Sequence, residues 1–449
     1  MTLPDSIFKA YDVRGLYPEE LDETGAERIG LALAQQLGAA SLGVGMDPRP
    51  SSPGLLEAFA AGAGRAGVAV TDFGTVPTEM LYFGVASLGL DGGAMVTASH
   101  NPPRYNGMKL VEAGALPLSG DQGIPELMRR AQALRELPPH PPAPVHKLVD
   151  LYPAYVEHLH AFADVRSFRP YTVVMDAANG VAGKLAPLVF DASPLRCIDL
   201  YFEVDGTFPN HDPNPLLEEN SREIRERVVA EKADLGIAWD GDADRCFFID
   251  ERGEFVPGDF VTALLAEALL VRHPGASILY DLRASRAVPD TIRANGGVPL
   301  LNRVGHAFFK QRMRREGGLF GGEVSGHYYF AGNYNADSGF IPALLILDLL
   351  SRKGATMGEL LEPLRSTYFI SGEINSTVQD VAAALARIEQ RFADGDITKL
   401  DGVSVDYERW HFNVRPSNTE PLLRLNLGAD SQELMEEKRD LVLGIIREG

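Results

Sequence analysis

Between residues 240 and 245 the chain reads Asp240-Gly241-Asp242-Ala243-Asp244-Arg245, three carboxylates at alternate positions closed by a guanidinium. The apolar run Leu235-Gly236-Ile237-Ala238-Trp239 leads into it and has the pattern of a buried strand. If the acidic segment is extended as well, alternate side chains point the same way and Asp240, Asp242 and Asp244 converge on one cation. Hard oxygen ligands of this kind suit Mg²⁺ or Ca²⁺. An EF-hand calcium loop is excluded, because Arg245 occupies the place of its obligatory glycine. An acidic turn at a strand end has the same composition, so the motif alone does not decide.

A second group lies upstream in Met95-Val96-Thr97-Ala98-Ser99-His100-Asn101-Pro102-Pro103. Asn-Pro-Pro forces a sharp loop and places Ser99 at a strand-to-loop junction. A serine hydroxyl is a weak nucleophile that needs a base or a metal, and His100 and Lys109 are the nearby candidates. No G-x-S-x-G surrounds Ser99, so an α/β-hydrolase elbow is unsupported. Two further loops carry recognition chemistry. Gly321-Gly322-Glu323-Val324-Ser325-Gly326-His327 offers an acceptor, a hydroxyl and an imidazole that suit sugar hydroxyls. Arg415-Pro416-Ser417-Asn418-Thr419-Glu420-Pro421, with Arg424 beyond, gathers the donors of a phosphate site in one turn.

In this order and at these separations, the four loops resemble the signature loops of the α-D-phosphohexomutases over essentially the whole chain. Lys9-Ala10-Tyr11-Asp12-Val13-Arg14-Gly15 is similar to the phosphomannomutase/phosphoglucomutase branch, whereas phosphoglucosamine mutases usually open with a Gly-Thr-Asp-Gly-type variant. The resemblance implies four domains around a central cleft, three related mixed α/β domains and a smaller C-terminal α+β domain. It also implies a phosphoserine at Ser99, Mg²⁺ held by Ser99, Asp240, Asp242 and Asp244, and a hexose 1,6-bisphosphate intermediate that doubles as activator. Phosphate then passes between the 1- and 6-positions of glucose or mannose. One intermediate must bind in two orientations.

Roles follow from the same match. Lys109 is the first choice of base, on the premise of a lowered pKa, and His100 is the second choice or a co-participant. Arg245 contacts the phosphoserine or the transferring group. Glu323 and Ser325 bind sugar hydroxyls, and His327 contacts the sugar or its phosphate. Arg415, Ser417, Asn418, Thr419 and Arg424 hold the phosphate that is not transferred, while Tyr11, Arg14, Arg283 and His306 match further binding positions. Arg283 stands where related sequences usually have Lys, and Val324 departs from the branch's common Met. Phosphoglucosamine mutase, a metal-dependent phosphatase and a catalytically silent phosphosugar sensor are the alternatives.

These loops need a scaffold. Strand and helix patterns alternate through Leu42–Met46, Pro53–Gly64, Gly67–Thr71, Tyr171–Asp176, Ser277–Asp281, Arg286–Asn295 and Val298–Asn302, which predicts α/β layers. From Tyr368 onward the order becomes strand, helix (Val381–Phe392), several strands and helix (Gln432–Arg447), an α+β pattern. The proline-rich stretch 138–144 marks a stiff connection. The expected division is 1–148, 149–253, 254–367 and 368–449, each segment carrying one of the four loops in turn. The balance of 42 basic against 62 acidic residues gives a net charge of −20, which disfavours nucleic acid and anionic membranes as partners. Apolar segments near Val261–Val271 and Ile341–Leu350 are too short to span a bilayer. No signal peptide is expected at the N-terminus, and Cys197 and Cys246 form no C-x-x-C. The expectation is a cytoplasmic enzyme, monomer or homodimer, acting on a small phosphosugar.

Overall fold

The computed structural model describes residues 3–118, 123–134, 136–137, 146–416 and 422–448. The proline-rich stretch 138–144 lies outside the described residues. The chain forms two compact units, Met1–Val256 with His327–Gly354, and Pro257–Gly326 with Ala355–Gly449. Residues 327–354 therefore pack within the first unit, and the expected 254–367 segment contributes to both.

The first unit begins with a sheet of β1 (Asp12–Leu16), β2 (Ser41–Met46), β3 (Ala69–Thr75), β4 (Gly92–Val96), β5 (Tyr105–Glu112), β6 (Leu116–Pro117) and β7 (His146–Leu148). The order is β1-β5-β4-β2-β3-β7, with β6 on β5. Parallel pairing of β2 with β3 and β4 gives way to antiparallel pairing of β5 with β4 and β1. Strand β3 starts after the expected 67–71 segment does, because Gly67 takes a left-handed φ of 79° and closes the preceding turn. The helices Glu23–Leu37 and Ser52–Arg65 cross at glycines. A Cβ on Gly30 would meet the Phe59 carbonyl at 2.1 Å, and one on Gly62 would meet that of Glu27 at 1.9 Å. Asp22 opens the first of these helices by accepting from the Gly25 amide at 2.8 Å.

A second sheet, in the order β11-β10-β8-β9, comprises β8 (Thr172–Asp176), β9 (Arg196–Leu200), β10 (Leu235–Trp239) and β11 (Cys246–Ile249). Every residue of β10 is buried, as expected of an apolar run with neighbours on both sides. It pairs antiparallel with β11, so residues 240–245 are the connection of a hairpin.

In the second unit β12 (Ser277–Asp281) lies parallel to β13 (Val298–Asn302) on one side and β14 (Phe320–Gly322) on the other. Back in the first unit, β15 (Tyr328–Phe330) and β16 (Ala336–Asp337) form a short antiparallel ladder ahead of the buried helix Phe340–Lys353. The last sheet, in the second unit, is antiparallel throughout. It contains β17 (Phe369–Ile370), β18 (Ile374–Thr377), β19 (Asp396–Thr398), β20 (Val403–Asp406), β21 (Trp410–Pro416) and β22 (Leu422–Ala429), with helices Val381–Arg391 and Gln432–Arg447. Among the described residues no helix is long and apolar enough to cross a membrane.

Candidate active site

Ser99 follows β4 and sits in the left-handed region at φ 51°, a conformation a non-glycine residue holds only when its surroundings fix it. Here the surroundings do. The Ser99 amide donates to Thr97 Oγ1 at 2.8 Å, and its carbonyl accepts from Arg49 Nη2 at 2.8 Å. Arg49 is fully buried and spreads its guanidinium over the carbonyls of Asn101, Pro102 and Tyr105 at 2.7, 2.7 and 3.1 Å. Asp47 holds Arg49 Nε at 2.8 Å. The serine loop is thus shaped by a residue fifty positions upstream, which the sequence reading missed. Asp47-Pro48 directly after β2 is the available signal, since strand ends of α/β sheets gather ligand loops.

The hairpin connection after β10 carries the three aspartates, all buried. It is a tight turn rather than the extended segment expected, with Ala243 at φ 57°. The carboxylates converge because the turn folds them inward, and one oxygen from each lies within 4.8 Å of the others. Gly241 permits the approach to Ser99, whose carbonyl oxygen would stand 2.8 Å from a Cβ there. Ser99 Oγ donates to Asp240 Oδ2 at 2.9 Å and lies 3.2 Å from His100 Nδ1.

Asp242 Oδ2 accepts from Lys109 Nζ at 2.7 Å, Thr78 Oγ1 at 2.6 Å and Thr97 Oγ1 at 3.2 Å. Lys109 also binds Asp244 Oδ2. It reaches both from the middle of β5, where the register sets it beside Asp12 of β1 and Met95 of β4. Arg245 donates its backbone amide to Asp240 Oδ1 at 3.2 Å and its Nη2 to His100 Nδ1 at 2.6 Å. Arg14 joins through Asn101 Oδ1 at 3.0 Å and Asp12 Oδ2 at 2.6 Å. His327 belongs to this unit too, its Nδ1 3.1 Å from Asp337 Oδ2 and 3.8 Å from Asp244 Oδ1.

The electrostatics follow from these contacts. Burial, then Asp242 and Asp244, push the Asp240 carboxyl above its ordinary range. Burial acts the same way on Asp242, but Lys109 and Thr78 outweigh it and hold this carboxyl low. For Lys109, burial alone would lower the amine; Asp242 and Asp244 overcome that and hold it above its usual value. The premise of a lowered lysine pKa therefore does not describe the site as it stands. His100 is the reverse case, since burial, then Arg245 and Arg14, push its imidazole well below the ordinary value. It is neutral, and because an arginine cannot accept, its Nδ1 is the unprotonated nitrogen.

The residues fit a divalent cation. Asp242 Oδ1 and Asp244 Oδ1 are buried without a hydrogen-bond partner among the described residues, which is costly unless a positive charge faces them. Carboxylate and hydroxyl oxygens are the donor set of a hard ion.

The second unit holds most of the residues expected to bind substrate. Arg283 follows β12 and is clamped by Asp281, with Nη2 2.7 Å from Oδ2. The same Nη2 lies 3.4 Å from Ser325 Oγ and 3.6 Å from Glu323 Oε1. Glu323 accepts from the Gly305 amide at 2.9 Å, next to His306, which opens the helix His306–Glu316. Arg415 of β21 and Arg424 of β22 face each other across the ladder and share the carboxylate of Glu373. Tyr11 precedes β1 in the first unit and is half-buried. Ser417, Asn418 and Thr419 lie outside the described residues.

Comparison with known proteins gives a consistent picture. Models of the phosphoglucomutase/phosphomannomutase family match in chain order: α/β/α domain I over 5–136, domain II over 153–253, domain III over 257–368 and the C-terminal domain over 373–444. A phosphomannomutase of Salmonella montevideo is 43% identical over 449 residues, covering 98% of each chain. Phosphohexose mutases of Xanthomonas campestris pv. campestris are 43% identical over 441 residues, again covering 98% of each. The crystal structure of a phosphoglucomutase/phosphomannomutase family protein from Burkholderia thailandensis superposes with a TM-score of 0.90 at 34% identity, covering 100% of this chain and 99% of that one.

Proposed function

The chain belongs to the phosphoglucomutase/phosphomannomutase family and is a hexose-phosphate mutase, and on that premise we propose that it works through a phosphoserine at Ser99. The observation that carries this reading is the seating of Ser99 Oγ, 2.9 Å from Asp240 and 3.2 Å from His100, to which Arg245 donates. In the first half-reaction the Oγ–P bond of phosphoserine breaks and a P–O bond forms to the free hydroxyl of a hexose phosphate, whose proton passes to a base. The products are hexose 1,6-bisphosphate and free Ser99. In the second half Ser99 Oγ bonds to the other phosphorus as the sugar O–P bond there breaks. The Ser99 proton passes to a neighbouring acceptor, the departing sugar oxygen takes up a proton, and the isomeric hexose phosphate is released.

This chain's residues divide the work. Ser99 Oγ already donates to Asp240 Oδ2 at 2.9 Å, which places that carboxylate to take the Ser99 proton. Neutral His100, its Nδ1 accepting from Arg245, holds that guanidinium beside the serine. Arg245 and Arg14 supply fixed positive charge, and phosphoryl transfer is catalysed mainly by positioning and such charge. Asp240, Asp242, Asp244 and the Ser99 oxygen would hold Mg²⁺, whose positive charge would offset the carboxylates and the phosphoryl group; Lys109 is assigned the proton exchange with the sugar hydroxyl. In the second unit Arg415 and Arg424, with Ser417, Asn418 and Thr419, are assigned the phosphate that is not transferred. Glu323 and Ser325 are assigned the sugar hydroxyls, with Arg283 and His306 beside them; Tyr11 and His327 are assigned contacts to the substrate.

The same proposal divides the chain at 1–148, 149–253, 254–367 and 368–449 and places it in the cytoplasm as a monomer or homodimer. Hexose 1,6-bisphosphate serves as its activator. A side-by-side isomerase assay tests the reading. With Mg²⁺ and a trace of hexose 1,6-bisphosphate, glucose 1-phosphate and mannose 1-phosphate are converted to their 6-phosphates, and a chelator abolishes both. Conversion confined to glucosamine 1-phosphate, or release of inorganic phosphate exceeding isomerisation, would overturn it.

A further inference from the structure

Arg415 and Arg424 are direct partners in the β21–β22 ladder, an arrangement that repels unless an anion lies between them. Glu373, one residue before β18, supplies that anion. Its Oε2 lies 3.2 Å from Arg415 Nη2 and its Oε1 lies 3.1 Å from Arg424 Nη1. Arg283 Nη1 stands 3.8 Å from Oε2, and Asn426 Nδ2 donates to the same oxygen at 3.5 Å. One carboxylate thus faces three guanidinium groups and an amide, a donor set that also matches a phosphate. The arginines are not saturated, because Arg415 Nε and Arg424 Nε are buried without a partner among the described residues. Glu373 is more accessible than Arg415, its side chain 26% exposed against 9%, and close to Arg424 at 30%.

We propose that Glu373 is a built-in counter-anion of this phosphate site, holding Arg283, Arg415 and Arg424 together in the empty protein and competing with a phosphate for them. The proposal rests on the assignment of Arg415 and Arg424 to phosphate binding. In the empty site Glu373 offsets the repulsion between the two facing arginines. When a phosphate arrives, it takes donors from Glu373 and meets the repulsion of the remaining carboxylate. Part of the intrinsic affinity is thereby cancelled, which suits an intermediate that must leave and return in the opposite orientation. Glu373 is a positioning residue here, acting through the arginines.

The test is calorimetric titration of inorganic phosphate into the full chain and its variants, with steady-state kinetics alongside. Glu373→Gln keeps the shape and removes the charge. It is expected to bind phosphate roughly threefold to tenfold tighter and to show a lower KM for hexose phosphate without a higher kcat. It also melts at a lower temperature without phosphate and recovers when phosphate is added. Glu373→Asp, which keeps the charge, stays within about twofold of the wild-type affinity. Arg415→Ala weakens binding and anchors the interpretation. If Arg415→Ala weakens binding but Glu373→Gln leaves it unchanged or weaker, the counter-anion role is wrong and the phosphate site stands. If Glu373→Asp tightens binding as much as Glu373→Gln, the effect is not one of charge and the proposal fails. If Arg415→Ala changes nothing, the phosphate assignment fails and the proposal with it.

Discussion

Ser99 is held by its amide, its carbonyl and its hydroxyl at once, and each contact reaches a different part of the chain. Replacing the hydroxyl leaves the other two contacts intact. Ser99→Ala should therefore keep its melting temperature and lose turnover by about a thousandfold or more, since the phosphoryl carrier is gone; near-normal isomerisation by this variant would contradict the phosphoserine reading. Arg49 is the opposite case. It touches no substrate in the reading above, yet its five side-chain hydrogen bonds tie Asp47 to the serine loop in a fully buried place. Removing one partner of a buried ion pair costs on the order of 3–5 kcal/mol. Urea unfolding of Arg49→Ala should show a loss of that size, and a loss under about 1 kcal/mol would mean the loop is shaped by something else.

At the level of elements, the entry to the helix Phe340–Lys353 shows how a buried acid can be kept neutral. The Gly339 amide donates to Glu79 Oε2 at 3.0 Å, and burial pushes the Glu79 carboxyl up to about 8. The unfolded chain gives this group the ordinary glutamate value near about 4.3. A group raised on folding contributes its full stability below the unfolded pKa and loses it as pH rises through the folded one. Stability should fall between about pH 5 and pH 8 by on the order of 1 kcal/mol per unit from this residue alone. Glu79→Gln should flatten that slope in thermal melts across the same range, and parallel curves for the two proteins would count against it. Elements of this kind were legible where their signal is local. The runs at 277–281, 298–302 and 432–447 fall where alternation and helical periodicity put them. The turn at Ala243 was not legible, because alternate aspartates read equally as strand or as turn until β11 is known to pair back on β10. Nor were Arg49, Thr78 and Glu373, whose partners lie far away in sequence and whose residue types carry no motif.

Over the whole molecule, the chain pairs a net charge of −20 with an anionic substrate, so local cations must do the recognising. They are gathered into two sets, Lys109, Arg14 and Arg245 in the first unit and Arg283, Arg415 and Arg424 in the second. The three buried aspartates equal the first set in number, yet two of their oxygens lack hydrogen-bond partners among the described residues. Mg²⁺ should consequently raise the melting temperature and a chelator should reverse the change, through binding to the folded state alone; an unchanged melt would argue against a cation at the triad. The central claim is that a phosphoryl group resides on Ser99 and passes to the sugar. The most direct measurement is a single turnover in which enzyme carrying a labelled phosphate is mixed with one equivalent of unlabelled hexose 1-phosphate. Peptide mapping should place the label on Ser99 beforehand, and after mixing it should leave the protein and appear in hexose 1,6-bisphosphate. Isomerisation with the label still on the protein, or its release as inorganic phosphate alone, would contradict that claim.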